Sequence, residues 1–302
     1  VFDEIDNYAS FSSQIREIAS EQVEKLVERN TPAPVQTDVQ AEDSSDTTQD
    51  AAVTDQIYTI FVSGIDTRGD ITASSRSDVN IVLTVNARTK QVLMISTPRD
   101  YYVPLSISNG VPDKLTHAGI YGVDVSMQTL EELYDTDIEF FGRVNFTSMT
   151  SVVDALGGLD VESDLEFDTG WESGAEIHVN EGMNHFDGIS ALAFCRERQA
   201  LPDGDNGRGV HQQAVITAII KKMMSPAMLR GASDIIESVS DGVDTNFTSS
   251  QIQSLIKTQL RTNAKWNIYS VAADGTGGTD ICYSSGDEEL YVTYPDENSV
   301  AE

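Results

Sequence analysis

The stretch SRSDVNIVLTVNARTKQVLMISTPRDYYVP (75–104) decides the fold. Two apolar, β-branched runs, VNIVLTVN (79–86) and QVLMIST (91–97), flank the short polar turn Ala87-Arg88-Thr89-Lys90. Runs of this kind, bounded by turn residues, read as neighbouring buried strands. Upstream, IYTIFVSGI (57–65) is a third strand; downstream, IEFFGRVNF (138–146) and residues 266–272 are two more. Between and after them the apolar spacing becomes helical, over 124–134, 147–157, 208–224 and 250–261. Asp124 or Ser126 is expected to cap the first of these helices, and Gly157-Gly158 to end the second. The helix over 208–224 is strongly amphipathic, carrying Val210, Ala214, Ile216, Ile219, Ile220 and Met223. Residues 188–198 are expected to start as a small helix or turn and to finish as a strand, ALAFCRER. Strands and helices mixed in this way predict a layered α/β domain.

That domain is expected to occupy residues 57–302. Residues 31–56 open on Pro32 and Pro34 and continue through Asp38, Glu42, Asp43, Asp46, Asp50 and Asp55, with no basic or aromatic residue. By composition this is an acidic, self-repelling, disordered linker. Before it, Ile15, Ile18, Val23, Leu26 and Val27 recur at helical spacing. Residues 1–30 are therefore read as the helical remnant of a preceding accessory or juxtamembrane segment. The chain opens on Val1 with no signal-like segment and no apolar run of about 18 residues, so any membrane anchor is expected to lie outside it.

Composition narrows the function. Nineteen Lys and Arg stand against 49 Asp and Glu, a net charge of −30 over 302 residues. A nucleic-acid partner needs a clustered basic excess, and a polybasic membrane surface needs the same; both are excluded as readings. Two cysteines, Cys195 and Cys282, rule out a disulfide scaffold and a Cys-rich zinc site. They could pair, but two separate free thiols is the simpler reading. The motifs G-x-S-x-G, H-E-x-x-H, C-x-x-C and G-x-x-x-x-G-K-[ST] are absent. His117, His178, His185 and His211 show no metal-ligand spacing. The Gly-rich run from Asp274 to Thr279 lacks the lysine of a phosphate loop and reads as a flexible turn.

Arginine carries the remaining signal. Of the 19 basic residues 12 are Arg, the side chain suited to a planar, bidentate grip on phosphate. Several sit at expected strand ends. SGID (63–66) puts Asp66 just past one strand, and SRSDV (75–79) puts Asp78 just before the next. TPRDYYVP (97–104) puts Arg99 and Asp100 after the third. CRERQ (195–199) puts Arg196 and Arg198 two apart, on one face if the segment is a strand. DNGRGVHQQ (205–213) puts Arg208 and Gln212 one turn apart at the start of the amphipathic helix. Each arginine alone could be a structural ion pair. Together with two carboxylates they suit a pyrophosphate and a divalent cation, and hard oxygen ligands point to Mg²⁺.

At these residues the chain resembles the LytR-CpsA-Psr family, and is most similar to its CpsA-type members associated with capsular polysaccharide. The motifs carrying the resemblance run in order: SGIDT, SRSDVNIVLTVN, STPRDYYVP, DKLTHAGIYG, VNFTS, DALGGLDV, ALAFCRERQALPDGDNGR and QQAVI. It is strong over about 57–230 and weaker to 295. The resemblance implies a three-layer α/β/α sandwich with a central mixed β-sheet and a long apolar lipid pocket. It implies an extracytoplasmic, membrane-anchored phosphotransferase of mainly Gram-positive bacteria. Such an enzyme moves a glycopolymer, capsular or teichoic-acid-like, from a polyprenyl pyrophosphate carrier to peptidoglycan. The family pattern falls on Asp66 and Asp78 as Mg²⁺-pyrophosphate carboxylates, and on Arg99, Arg196, Arg198 and Arg208 as pyrophosphate ligands. Gln212 matches a phosphate-contacting glutamine and Lys114 a lysine near the head group. Asp205 matches a candidate base for the acceptor hydroxyl, and Asp100 is expected to orient Arg99. His211 stands where many members carry Arg, and Cys195 where many carry Tyr, Phe or Val. Two other readings remain: a polyprenyl pyrophosphate phosphatase, with water in place of the sugar, and a non-catalytic polyprenyl-lipid-binding envelope regulator.

Overall fold

The computed structural model describes residues 53–65, 67, 71, 74–202, 205–225, 228–229, 235, 239 and 242–301, the side chains of 205 and 206 excepted. The expected helix in residues 1–30, nearly all of the acidic linker, and Asp66 lie outside these.

An antiparallel meander comes first: β1 (Ile57–Ile65), β2 (Ser77–Asn86) and β3 (Gln91–Thr97). In the β2–β3 turn the Asn86 side-chain oxygen accepts from the backbone N–H groups of Arg88 and Thr89, both at 3.0 Å. Lys90 then takes a left-handed φ of 60°. This side-chain-closed turn sets the pairing of Asn86 with Gln91. A short hairpin follows, β4 (Tyr102–Pro104) and β5 (Pro112–Lys114), and then helices α1 (Leu115–Tyr121) and α2 (Val123–Tyr134). β6 (Phe140–Asn145) leads into α3 (Phe146–Ala155). Next come β7 (Leu159–Ser163), the small pair β8 (Phe167–Asp168) and β9 (His178–Val179), and β10 (Gly182–Phe186). Helices α4 (Gly188–Arg196) and α5 (Asp205–Met223) precede β11 (Val243–Thr245), α6 (Ser249–Thr262) and β12 (Asn267–Ala272). A final hairpin, β13 (Gly275–Ile281) and β14 (Glu289–Pro295), ends in α7 (Glu297–Ala301).

Six strands hydrogen-bond in the order β11-β6-β1-β2-β3-β12. β1 runs parallel to β6 and β3 parallel to β12, while the other neighbours are antiparallel, so the sheet is mixed. Strand alternation sends Phe61 and Val82 to one face, against Leu115 of α1 and Leu130 of α2. It sends Tyr58, Leu83 and Val85 to the other, toward Ile216 and Ile220 of α5 and Leu255 of α6. Helices cover both faces, which is the expected α/β/α sandwich.

Four local expectations are corrected. Residues 188–196 are one helix, and ALAFCRER contains no strand. Asp187 caps it, its carboxylate accepting from Ser190 N–H at 2.9 Å. Gly122, with neither Asp124 nor Ser126, holds the N-cap position of α2 and supplies no side-chain bond. The Gly-rich run after Asp274 is strand β13. Glycine is needed at Gly275, because a Cβ there would meet the Tyr294 backbone carbonyl at 2.5 Å. Finally Val53, placed in the linker by composition, is 1% exposed and packs with Tyr58 and Val85, so it belongs to the folded unit.

Gly188 fixes how closely α4 approaches α3. Its N–H donates to Asp154 at 2.8 Å, and a Cβ there would overlap the Thr150 backbone carbonyl. Gly188→Ala is expected to cost about 1–3 kcal/mol by overpacking, read as a lower urea midpoint. An unchanged midpoint would mean that the two helices can separate freely.

Candidate active site

Between the sheet and helices α3 to α6 lies a cavity of about 940 Å³. Its wall takes Tyr58, Ile60 and Val62 from β1, Val79, Leu83 and Val85 from β2, and Val215, Ile216, Ile219 and Ile220 from α5. The apolar stripe of α5 therefore faces open space as well as core. Periodicity marks both in the same way.

One end of the cavity is polar. β1 and β3 finish there and β2 begins there, because the meander is antiparallel. Asp78, now the second residue of β2, Arg99, two residues past β3, and Arg196, Arg198, Arg208 and Gln212 all line this cavity. Six of the residues singled out in four separate segments thus line one cavity.

Each is held differently. The Arg99 guanidinium reaches the Asp78 carboxylate at 2.9 Å and that of Asp100 at 3.4 Å. Asp100 also takes the Lys114 ammonium at 2.9 Å. Lys114, expected at the head group, is not among the cavity-lining residues; it braces Asp100, which in turn orients Arg99. Arg196 closes α4, where a cation is favoured by the helix dipole. Its guanidinium lies 4.5 Å from the centre of the Phe146 ring and donates to the Ser173 carbonyl at 3.5 Å. Arg196 and Arg198 do not share a strand face, since the chain turns extended at Glu197 (φ −62°, ψ 137°). They reach the cavity from a helix end and the loop after it. Arg208 and Gln212 lie one turn apart in α5, as expected, and both are buried. Gln212 donates to the Cys195 carbonyl at 3.5 Å. Asp205 opens α5; its side chain, like the whole of Asp66, lies outside the described residues.

His211 plays no part in the polar end. Its ring stacks on Phe194 at 3.9 Å and on Phe167 at 5.4 Å, with Nδ1 3.2 Å from the Phe194 carbonyl. Burial lowers its pKa and keeps it neutral. Cys195 and Cys282 are free and buried. Cys195 lines the cavity from α4, and burial pushes its thiol up to about 12, against a weaker pull from Arg208.

Glu197 is the residue that sequence reasoning missed. It is 2% exposed and lines the cavity between the two arginines. One carboxylate oxygen accepts from the backbone N–H groups of Arg198 (2.9 Å), Gln199 (2.7 Å) and Ala200 (3.0 Å). The other accepts from Gly170 N–H and the Ser173 hydroxyl, both at 2.8 Å. Burial alone would raise its pKa; the hydrogen bonds outweigh that and bring it down to about 2. The carboxylate clamps the loop bearing Arg198 to the 170–173 turn that holds Arg196. Read as a strand, the segment put Glu197 on the face away from the arginines. The usable signal was an acid wedged between two arginines in a site meant for an anion.

Among the described residues no group of three or more His, Cys, Asp or Glu is placed to hold a metal. Glu197 is committed to backbone donors, and the Cys195 thiol is protonated. Among the described residues Asp78 and Glu172 remain as carboxylates on the cavity wall, hard oxygen donors that suit Mg²⁺ completed by substrate oxygens and do not suit zinc.

The LytR_cpsA_psr family model matches residues 18–295. The polyisoprenyl-teichoic acid–peptidoglycan teichoic acid transferase TagU of Bacillus cereus (strain AH820) is 37% identical over 199 residues, 66% of this chain and 63% of that protein. The protein of the same name from Bacillus mycoides (strain KBAB4) is 33% identical over 238 residues, 78% of this chain and 73% of that one. The chain thus spans under two thirds of the B. cereus relative. Among solved structures, B. subtilis TagV superposes with a TM-score of 0.68 at 27% identity, covering 81% of this chain and 92% of TagV. TagT bound to LIIa-WTA superposes with a TM-score of 0.64 at 25% identity, covering 87% of this chain and 90% of that one.

The Glu197 clamp has a pH signature. Its folded pKa lies below the ordinary 4.5, so its contribution is complete above that pH and is lost as pH falls toward 2. The loss amounts to about 3 kcal/mol. In urea titrations from pH 6 to pH 2, the stability gap between the native protein and Glu197→Gln is expected to narrow by that order. A gap independent of pH would mean that the carboxylate is not held ionised.

Proposed function

Because the chain belongs to the LytR-CpsA-Psr family, we propose that it transfers a glycopolymer from a polyprenyl pyrophosphate carrier to peptidoglycan. The observation carrying this reading is an elongated apolar cavity that ends in Arg99, Arg196, Arg198 and Arg208. A long isoprenoid suits the apolar wall and a pyrophosphate suits the guanidinium forks. Relatives at 33–37% identity are named for teichoic acid, which favours that class of polymer over the capsular polysaccharide suggested by the CpsA-like motifs.

In the proposed reaction a peptidoglycan hydroxyl attacks the phosphorus that bears the polymer. A P–O bond to the acceptor forms as the P–O bond to the bridging oxygen breaks. Polyprenyl phosphate leaves with the bonding electron pair. The hydroxyl proton passes to a base, for which Asp205 is the candidate. Arg99, Arg196, Arg198 and Arg208 meet the charge that grows on the phosphate oxygens, already oriented before reaction. Gln212 offers a neutral donor beside them, while Asp100 and Lys114 keep Arg99 in place. Mg²⁺, held by Asp78 with Asp66, would neutralise pyrophosphate oxygens further. Among the described residues no helix is long and apolar enough to cross a membrane; action at the outer face of the cell membrane is proposed from the class of substrate, a polyprenyl-linked polymer joined to peptidoglycan.

Incubation with a polyprenyl-pyrophosphate-linked saccharide and peptidoglycan is expected to yield linked saccharide and polyprenyl phosphate. Arg99→Ala should slow this by roughly 10²-fold or more, and near-normal turnover rejects the assignment. Free saccharide phosphate in place of linked product would mark a phosphatase. EDTA should suppress the reaction and added Mg²⁺ restore it; a rate indifferent to EDTA removes the metal from the scheme.

A further inference from the structure

The cavity has a second end, built unlike the first. Asp78 is the second residue of β2 and Lys90 closes the β2–β3 turn, which separates them by roughly 25 Å along the sheet. Both line the cavity. At the Lys90 end the described wall includes Trp266, half-buried, whose ring centre lies 5.0 Å from the Lys90 ammonium, within cation–π range. The pair is braced. Asn267 N–H donates to the Lys90 carbonyl at 2.9 Å, tying the residue after Trp266 to the turn. The Trp266 indole N–H donates to the Gln259 side-chain oxygen at 3.1 Å. The Gln259 amide nitrogen donates to the Ala264 carbonyl at 2.8 Å, and Gln259 is 5% exposed. Trp266 is therefore fixed in angle by its indole nitrogen and faced by the Lys90 ammonium.

We propose that Trp266, with Lys90 over its ring, is the stop that meets the distal end of the isoprenoid and so selects its length. The inference rests on the reading that the cavity holds an isoprenyl phosphate with its head at the arginines. Each added isoprene buries more apolar surface along β1, β2 and α5, so affinity rises with length until the chain reaches the indole. A chain that stops short leaves Trp266 unaltered. One that passes it must displace the lysine from the ring.

The chain contains two tryptophans. Trp171 is 75% exposed, so Trp171→Phe leaves Trp266 as the sole emitter. Geranyl pyrophosphate and undecaprenyl phosphate are the probes, with binding followed independently by calorimetry. Undecaprenyl phosphate is expected to blue-shift the emission of Trp266, and geranyl pyrophosphate to bind without a shift. Trp266→Ala should weaken undecaprenyl phosphate on the order of tenfold and leave geranyl pyrophosphate unchanged. If calorimetry records both ligands while Trp266 stays silent, or if both shift it equally, the length stop is wrong and the proposed function stands. If neither ligand binds, the proposed function fails and takes the stop with it.

Discussion

Four guanidinium groups at one end of an apolar cavity repel one another, most strongly where burial lowers the dielectric, as at Arg208, and least at the exposed Arg198. The site can exist only if each is restrained before any anion arrives. Arg99 is bracketed by Asp78 and Asp100. Arg196 lies on Phe146 at the negative end of a helix dipole. Arg198 leaves a loop whose backbone is wrapped around the Glu197 carboxylate. Arg208 is buried in α5 beside Gln212. The restraints come from different elements, so the cluster is preorganised by the whole fold and by no single motif.

The same fold leaves space where a core would ordinarily close. Residues of β1, β2, α5 and α6 that pack in the core also line the cavity, which forfeits part of their packing along its length. Close packing elsewhere offsets this. Gly188 lets α4 sit against α3, and the layer of α1 and α2 closes tightly on the opposite face of the sheet around Phe61, Leu115 and Leu130. An open apolar volume beside a fixed cationic end makes one molecule out of two opposed solvents, which is the chemistry of a phosphorylated lipid.

Much of the architecture was legible because strand and helix periods are local. β1 and β3 carry the bounds read from IYTIFVSGI and QVLMIST, and β2 begins two residues before VNIVLTVN. The helices α3, α5 and α6 fall within a few residues of their apolar patterns. The errors also have local causes. ALAFCRER is short, wholly apolar over its first half and lacks a distinguishing period, so a buried helix resembled a strand. The glycines of β13 looked like a turn, because the strand they pair with, β14, arrives later in the chain.

By itself the amino-acid order determined which elements form and which side chains are chemically fit to grip a phosphate, since propensity, periodicity and residue chemistry are carried by neighbours along the chain. Only the tertiary structure decided that Arg99, Arg196, Arg198 and Arg208 share one cavity, that Lys114 serves Asp100, that His211 turns into an aromatic stack, and that Glu197 is a clamp. Most of those relations join segments 14 to more than a hundred residues apart. They are set by how layers pack and where burial makes a charge need a partner, and no local pattern encodes either.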